Sequence, residues 1–249
     1  MIDLHSHILP GVDDGPAALE GALEMARAAV ADGIELVAAT PHVREDYPTS
    51  ADLMEHRLED VRAAVDAAGV ALELRRGGEL ALGALDRDEA ELRRFGLGGN
   101  PDYLLVETPY FGWPLDLGQR LFELHTRGVT PVLAHPERNG EVQANADLLR
   151  PLVEAGTLVQ LTAASVDGRI GRRARATAFE LLERGWAHLL GSDAHTPAIR
   201  EIGLSAAVDE LDDDRLGRWL TVEMPRAIVD GGELPPRPPR KRRRRWRWF

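Results

Sequence analysis

The chain contains no cysteine. That absence excludes disulfides, thiolate zinc sites, iron–sulfur clusters and any cysteine nucleophile. Lysine is missing as well, apart from Lys241 near the C-terminus. The body of the chain therefore offers no lysine for a phosphate-binding P-loop, a Schiff base or a lysine-derived metal bridge. No apolar run approaches the roughly 20 residues of a membrane span. Met1 leads straight into an apolar strand pattern and leaves no room for a signal peptide. The reading is a cytoplasmic protein.

Acidic charge, by contrast, is plentiful. The net charge of the 249 residues is −11. Residues 235–249 hold eight basic side chains and no acid, so residues 1–234 carry −19. A body so acidic disfavours a nucleic-acid groove. The length suits one large α/β domain or two small ones, with enough chain to bury a sizeable core.

One pattern recurs five times: an amphipathic helix, a glycine, then a short β-rich run. The runs are Ile34–Ala39, Val70–Leu74, Val129–Ala134, Thr157–Leu161 and Trp186–Leu190, preceded by Gly33, Gly69, Gly128, Gly156 and Gly185. Glycine just past a helix takes the left-handed conformation that ends it. The helices carry apolar residues at three- and four-residue spacing, as at Leu19, Leu23, Ala26 and Val30. Ile2–Leu4 and Tyr103–Val106 bring the strands to seven. Alternating strands and helices predict a parallel sheet covered by helices.

The residues at the strand ends point to a closed barrel. His5 and His7 end the first strand, and residues i and i+2 of a strand share a face. Thr40-Pro41-His42 follows the second strand and Gly77-Gly78-Glu79 the third. Glu107 ends the fourth, His135 the fifth, and Ser192-Asp193-Ala194-His195 the seventh. Only the sixth, ending near Thr162–Ser165, offers no strong ligand. The carboxyl ends of parallel strands form the functional face, and a barrel gathers them around one cavity. Proline is expected to hold the residue before it extended, fixing the loops at Thr40-Pro41 and His135-Pro136. Glu79 and Glu107 each end an apolar strand, where a carboxylate is costly unless paired or metal-bound. Asp13 and Asp14 beside Pro10-Gly11 are ordinary turn residues, and chemistry alone does not choose between them. His56 reads as part of a charged helical face, His125 as a helix-end residue and His188 as a buried strand histidine; none is taken as a ligand. Nitrogen and oxygen donors without sulfur suit manganese, iron or zinc in a cluster that hydrolyses phosphate esters. Arg138 and Arg200, on loops at the same face, are candidates to hold the phosphate.

Five segments together resemble the polymerase and histidinol phosphatase (PHP) family. They are Asp3-Leu4-His5-Ser6-His7-Ile8-Leu9-Pro10-Gly11-Val12-Asp13-Asp14-Gly15, Thr40-Pro41-His42, Gly78-Glu79, Ala134-His135-Pro136-Glu137-Arg138 and Ser192-Asp193-Ala194-His195. The likeness runs over about residues 1–230. It is strongest to the branch of bacterial protein-tyrosine phosphatases linked to capsular and exopolysaccharide synthesis. The resemblance implies a distorted seven-stranded (β/α)7 barrel over residues 1–232, holding three metals, commonly manganese. It implies one metal on His5, His7, Glu79 and Asp193, a second on Glu79, Glu107 and His135, and a third on Asp14, His42 and His195. Arg138 and Arg200 would grip the phosphate. The expected reaction is attack of a metal-bridging hydroxide on the phosphorus of phosphotyrosine, without a phosphoenzyme. The expected substrate is a membrane-associated bacterial tyrosine kinase. A small-molecule phosphatase, such as one acting on histidinol phosphate, is the alternative. A lysine-bridged amidohydrolase is excluded by the missing lysine.

Residues 233–249 depart from the family pattern. Pro-Pro-Arg-Pro-Pro is followed by a block of arginines with Trp246, Trp248 and Phe249. Such a composition predicts a disordered tail. Its charge and aromatics suit an anionic membrane surface, which would place the protein close to a membrane.

Overall fold

Seven stretches of β pattern become nine short strands in the computed structural model, which describes residues 1–196 and 201–239. They are β1 (Ile2–Ser6), β2 (Leu36–Ala39), β3 (His42–Val43), β4 (Glu73–Arg76), β5 (Glu79–Leu80), β6 (Tyr103–Glu107), β7 (Thr130–Ala134), β8 (Leu158–Thr162) and β9 (Leu189–Gly191). All pair in parallel, in a three-stranded sheet ordered β1-β2-β4 and a six-stranded sheet ordered β3-β5-β6-β7-β8-β9.

The count exceeds the expected seven because two stretches are interrupted. Pro41, which has no N–H to give a ladder, lies between β2 and β3. Gly77-Gly78 separates β4 from β5. A Cβ on Gly77 would lie 2.8 Å from Thr40 Cγ2, and one on Gly78 would lie 2.6 Å from Phe95 Cδ1. The chain passes so close there that only glycine fits. The resulting bends turn His42 and Glu79 into paired register positions on β3 and β5. β1 in turn meets the chain beyond β9: His7 N–H donates to Ala194 O at 2.8 Å and Asp193 N–H to His5 O at 2.9 Å.

Helices cover the sheets. The helix Leu19–Ala31 buries Ala22, Met25, Ala26 and Ala29. Of the stripe Leu19, Leu23, Ala26 and Val30, only Ala26 is fully buried. Three alanines let this helix lie close on its neighbours, with Met25 its one large buried side chain and Leu19 and Val30 turned outward. The five glycines that follow helices all have positive φ, from 64° at Gly69 to 97° at Gly156.

The chain beyond 232 is fastened to the body as far as it is described. Trp219 Nε1 donates to Pro235 O at 3.0 Å. Arg237 donates to Ala187 O at 2.9 Å and Leu182 O at 2.8 Å, with its guanidinium over the Trp219 ring. Residues 235 and 237 are thus held against the body, where Arg237 satisfies two carbonyls near a helix end. The basic run 240–249, with the membrane contact expected of it, lies outside the described residues.

Candidate metal centre

The nine expected ligands converge on one end of the sheets. Four groups among them bring their ligand atoms within 4.8 Å of one another: His5–His7–Asp193, His5–Glu79–His135, His42–Glu79–Glu107, and His7–Asp14–His42–His195. Glu79 Oε2 lies 3.5 Å from His5 Nε2, 3.4 Å from His7 Nε2 and 3.0 Å from His42 Nδ1. Its other oxygen lies 2.8 Å from His135 Nε2. Asp193 Oδ1 repeats the pattern at 3.5 Å from His5 Nε2 and 3.4 Å from His7 Nε2. Asp14 Oδ1 stands 3.2 Å from His195 Nε2 and 3.6 Å from His42 Nε2. His42 thus faces two groups, one through each ring nitrogen, where the family likeness placed it with Asp14 and His195 alone. His135 stands in a group with His5 and Glu79, Glu107 in one with His42 and Glu79, and Glu79 is common to both.

The donor set fits cations. His5 Nδ1 lies 2.9 Å from Gln160 Oε1, whose orientation is fixed because Gln160 Nε2 donates to Leu161 O. His7 Nδ1 lies 2.6 Å from the Asp13 carboxylate. Each Nδ1 is thus the donor to its partner, and in the neutral form of either ring, the form that binds a metal, the Nε2 lone pair points at Glu79 and Asp193. His5 Nε2, His7 Nε2 and Glu79 Oε2 are buried and make no hydrogen bond. A lone pair facing a carboxylate is repulsive unless a proton or a cation lies between them. Two donors each about 2.1 Å from one ion stand roughly 3.0–3.4 Å apart, close to these separations.

Charge tells the same story. Burial pushes Glu79 up, yet the His5, His135 and His42 rings beside it hold its carboxyl well below the usual range. Burial opposes charge on His5 and His7, but Glu79 and Asp193 raise the first, and Asp13 with those two raises the second. Desolvation wins at His135, which is lowered, and at Glu107, which is raised with help from the neighbouring Glu79 charge. Cations bound here would replace protons, as metal binding generally does.

Supporting residues that sequence reasoning missed surround the ligands. Asp13 Oδ2 also accepts from His42 N–H at 2.9 Å, so of the two aspartates Asp14 faces the cluster and Asp13 braces it. Arg44 Nη1 donates to Glu107 Oε1 at 2.9 Å. Glu137 is fully buried, accepts from Ser165 Oγ at 2.7 Å and Thr162 N–H at 3.0 Å, and burial pushes it up to about 7. The ligand-free end of β8 therefore has a task, which is to hold the His135–Arg138 loop. Only the proximity of Glu137 to His135 in the sequence signalled it.

Arg138 reaches the centre, where it donates to Asp193 and its guanidinium lies 4.6 Å over the Tyr110 ring. Arg200 lies outside the described residues. His135 is not extended as its following proline predicts. It is left-handed, at φ 38° and ψ 46°, held by its N–H on Gln160 O and by Glu79. Asp193 is left-handed too, at φ 51°. Two of the three non-glycine residues with positive φ among those described are thus expected ligands, and such strain concentrates at functional sites. The three histidines set aside stay apart. His56 is exposed on its helix; His125 sits in the last turn of the helix Leu117–Thr126, where burial lowers it. His188 stands just ahead of β9 and its Nδ1 accepts from Val159 N–H at 3.1 Å.

The family model for capsular polysaccharide synthesis, CpsB/CapC, matches residues 1–222. The chain belongs to the CpsB/CapC family. Tyrosine-protein phosphatase YwqE of Bacillus subtilis is 31% identical over 255 residues, covering 98% of each chain. Tyrosine-protein phosphatase CpsB of Streptococcus agalactiae serotype III is 26% identical over 218 residues, covering 83% of this chain and 88% of the relative. A solved structure from work on YwqE of B. subtilis and CpsB of Streptococcus pneumoniae, described there as unique metal-dependent tyrosine phosphatases, superposes at TM-score 0.84. It is 31% identical and covers 97% of this chain and all of that one. The capsular resemblance read from the motifs is borne out. A 5-methylcytosine deaminase of Klebsiella pneumoniae shares the fold alone, at TM-score 0.54 and 15% identity, covering 86% of this chain and 63% of its own.

Proposed function

We propose that this CpsB/CapC member is a metal-dependent protein-tyrosine phosphatase. Its substrate would be a bacterial tyrosine kinase governing capsule or exopolysaccharide synthesis. The observation that carries the reading is the set of buried histidine Nε2 atoms aimed at shared carboxylates. The activity for which the relatives are named, at matching length, supports the substrate class. We read the two sheets as a distorted barrel of seven staves, with β2–β3 and β4–β5 each one bent stave.

His5, His7, Glu79 and Asp193 would hold one ion, Glu79, Glu107 and His135 a second, and Asp14, His42 and His195 a third. Manganese is the ion we assign, and the nitrogen–oxygen donor set also suits iron or zinc. Bound ions of this kind make water a nucleophile near neutral pH and neutralise phosphoryl oxygens. Arg138, anchored between Asp193 and Tyr110, would turn its remaining N–H groups to the phosphate, with Arg200 as its partner. We read the displacement as direct; the chain has no cysteine for a phosphocysteine route. The tyrosine hydroxyl ordinarily titrates at about 10, so its phenolate leaves with less protonation than an alkoxide needs. No helix among the described residues is long and apolar enough to cross a membrane, and we place the protein in the cytoplasm beside its kinase.

The test is phosphate release from a phosphotyrosine peptide and from histidinol phosphate, with manganese and with chelator. The peptide is expected to turn over only with metal, and His135→Ala and Arg138→Ala to abolish turnover while the circular dichroism spectrum is kept. Turnover of histidinol phosphate alone would overturn the assignment.

A further inference from the structure

Beside the metal centre, on the far side of Arg138, runs a groove of about 680 Å³. Tyr110, Phe111, Arg138 and Gln143 line it together with Arg172 and Arg173 at the start of the helix Arg172–Arg184. Tyr110 joins the groove to the centre, because its ring stacks on His135 at 6.0 Å and carries the Arg138 guanidinium. The wall is built rather than incidental. Buried Asn139 donates from Nδ2 to Pro109 O at 2.6 Å and Gly112 O at 2.8 Å, and its Oδ1 caps the next helix. One side chain thus ties the 109–112 loop to the catalytic loop.

Arg172 and Arg173 stand out in this chain. Among the described residues neither makes an ion pair or hydrogen bond through its guanidinium, although most other arginines do. Both occupy the first turn of a 13-residue helix with no acid there, where the helix dipole disfavours cations. Both are exposed, in a body that carries −19 over residues 1–234. Phe111 is 89% exposed at the same groove. Two uncompensated cations, an exposed aromatic ring and a path to the phosphate-binding arginine complement an anionic polypeptide.

We infer that this groove reads acidic residues flanking the phosphotyrosine, with Arg172 and Arg173 binding Asp or Glu carboxylates of the substrate chain. This rests on the phosphatase reading. It makes the two arginines specificity residues that never touch the reacting phosphate. Two exposed ion pairs together are worth about 2- to 30-fold in affinity, with about tenfold the middle of that range.

The manganese-loaded full chain is assayed on three substrates: a phosphotyrosine peptide with Asp/Glu flanks, the same peptide with Ser/Gly flanks, and para-nitrophenyl phosphate. The acidic peptide is expected to show about tenfold higher kcat/KM than the neutral one, through KM, with the advantage shrinking as salt rises. Arg172→Gln/Arg173→Gln should erase that advantage and leave the other two substrates unchanged. Equal kcat/KM for the two peptides, or a variant equally slow on all three substrates, would overturn the inference alone. Absence of metal-dependent turnover of every substrate would sink the phosphatase reading itself, and this inference with it.

Discussion

The Asp13 carboxylate lies 2.6 Å from Nδ1 of His7, on the side of the ring away from the cluster. Through the same oxygen it accepts the backbone N–H of His42. One side chain therefore fixes the tautomer of one proposed ligand and the backbone of another.

Asp13→Ala is expected to weaken manganese binding about 10–100-fold, the usual cost of losing an outer partner of a ligating histidine. Activity should return at high manganese. Asp14→Ala removes a donor itself and should lower the number of ions bound, whatever the concentration supplied. Calorimetric titration and metal content separate the two. Wild-type affinity in Asp13→Ala would reduce Asp13 to a turn residue.

Arg44 holds Glu107 through Oε1, leaving Oε2 3.9 Å from His42 Nδ1. Its charge opposes the burial and the Glu79 repulsion that together raise the Glu107 pKa. Arg44→Met keeps the aliphatic stem and removes the charge. The expected result is a loss of about tenfold or more in metal affinity and activity, largest at acidic pH because Glu107 then protonates more readily. A loss identical at every pH would refute this account.

The strand ends were legible because a carboxylate or imidazole closing an apolar run is chemically conspicuous. His5, His7, Glu79, Glu107, His135, Asp193 and His195 all stand out in that way. The choice between Asp13 and Asp14 was not legible, since both follow a turn and differ only in which way the folded loop aims them. The left-handed conformation of His135 ran against its proline, because the proline rule is local while Gln160 and Glu79 act from β8 and β5. Arg44, Gln160 and Tyr110 lie far in sequence from the ligands they support, and polar residues at such positions read as surface. The breaks that produce β3 and β5 were half visible as Pro41 and Gly77-Gly78. What makes them necessary, the nearness of Thr40 and Phe95, belongs to packing alone.

His188 gives the fold a pH dependence independent of the metals. Burial, and then the charge of Arg237, push its pKa down to about 4. Its unfolded value is 6.5. Between those values the unfolded chain takes a proton that the native chain refuses, so stability falls as pH drops from 6.5 toward 4. Protonation would also end the acceptance of Val159 N–H by Nδ1. The loss is on the order of 2–3 kcal/mol. His188→Asn retains an acceptor without the titration, so its urea midpoint should change less over that range than the parent's. Parallel curves for the two proteins would rule the mechanism out.

Gly191 tests whether the centre depends on its packing as well as its ligands. A Cβ there would lie 2.8 Å from both Gln160 Nε2 and His5 Cβ. Gly191→Ala must therefore push against the amide that orients His5 and against His5 itself, within a core that does not yield. Overpacking of this kind costs about 1–3 kcal/mol, which a fold of this size tolerates. The metal centre should suffer more, with binding weakened about 10–100-fold once the His5 brace shifts. Gln160→Ala removes the brace without the steric push. If bracing is what matters, the two variants should lose manganese affinity alike although only Gly191→Ala is overpacked. If Gln160→Ala binds manganese normally while Gly191→Ala does not, displacement of His5 by the new methyl is the cause, and Gln160 is not what fixes the ring.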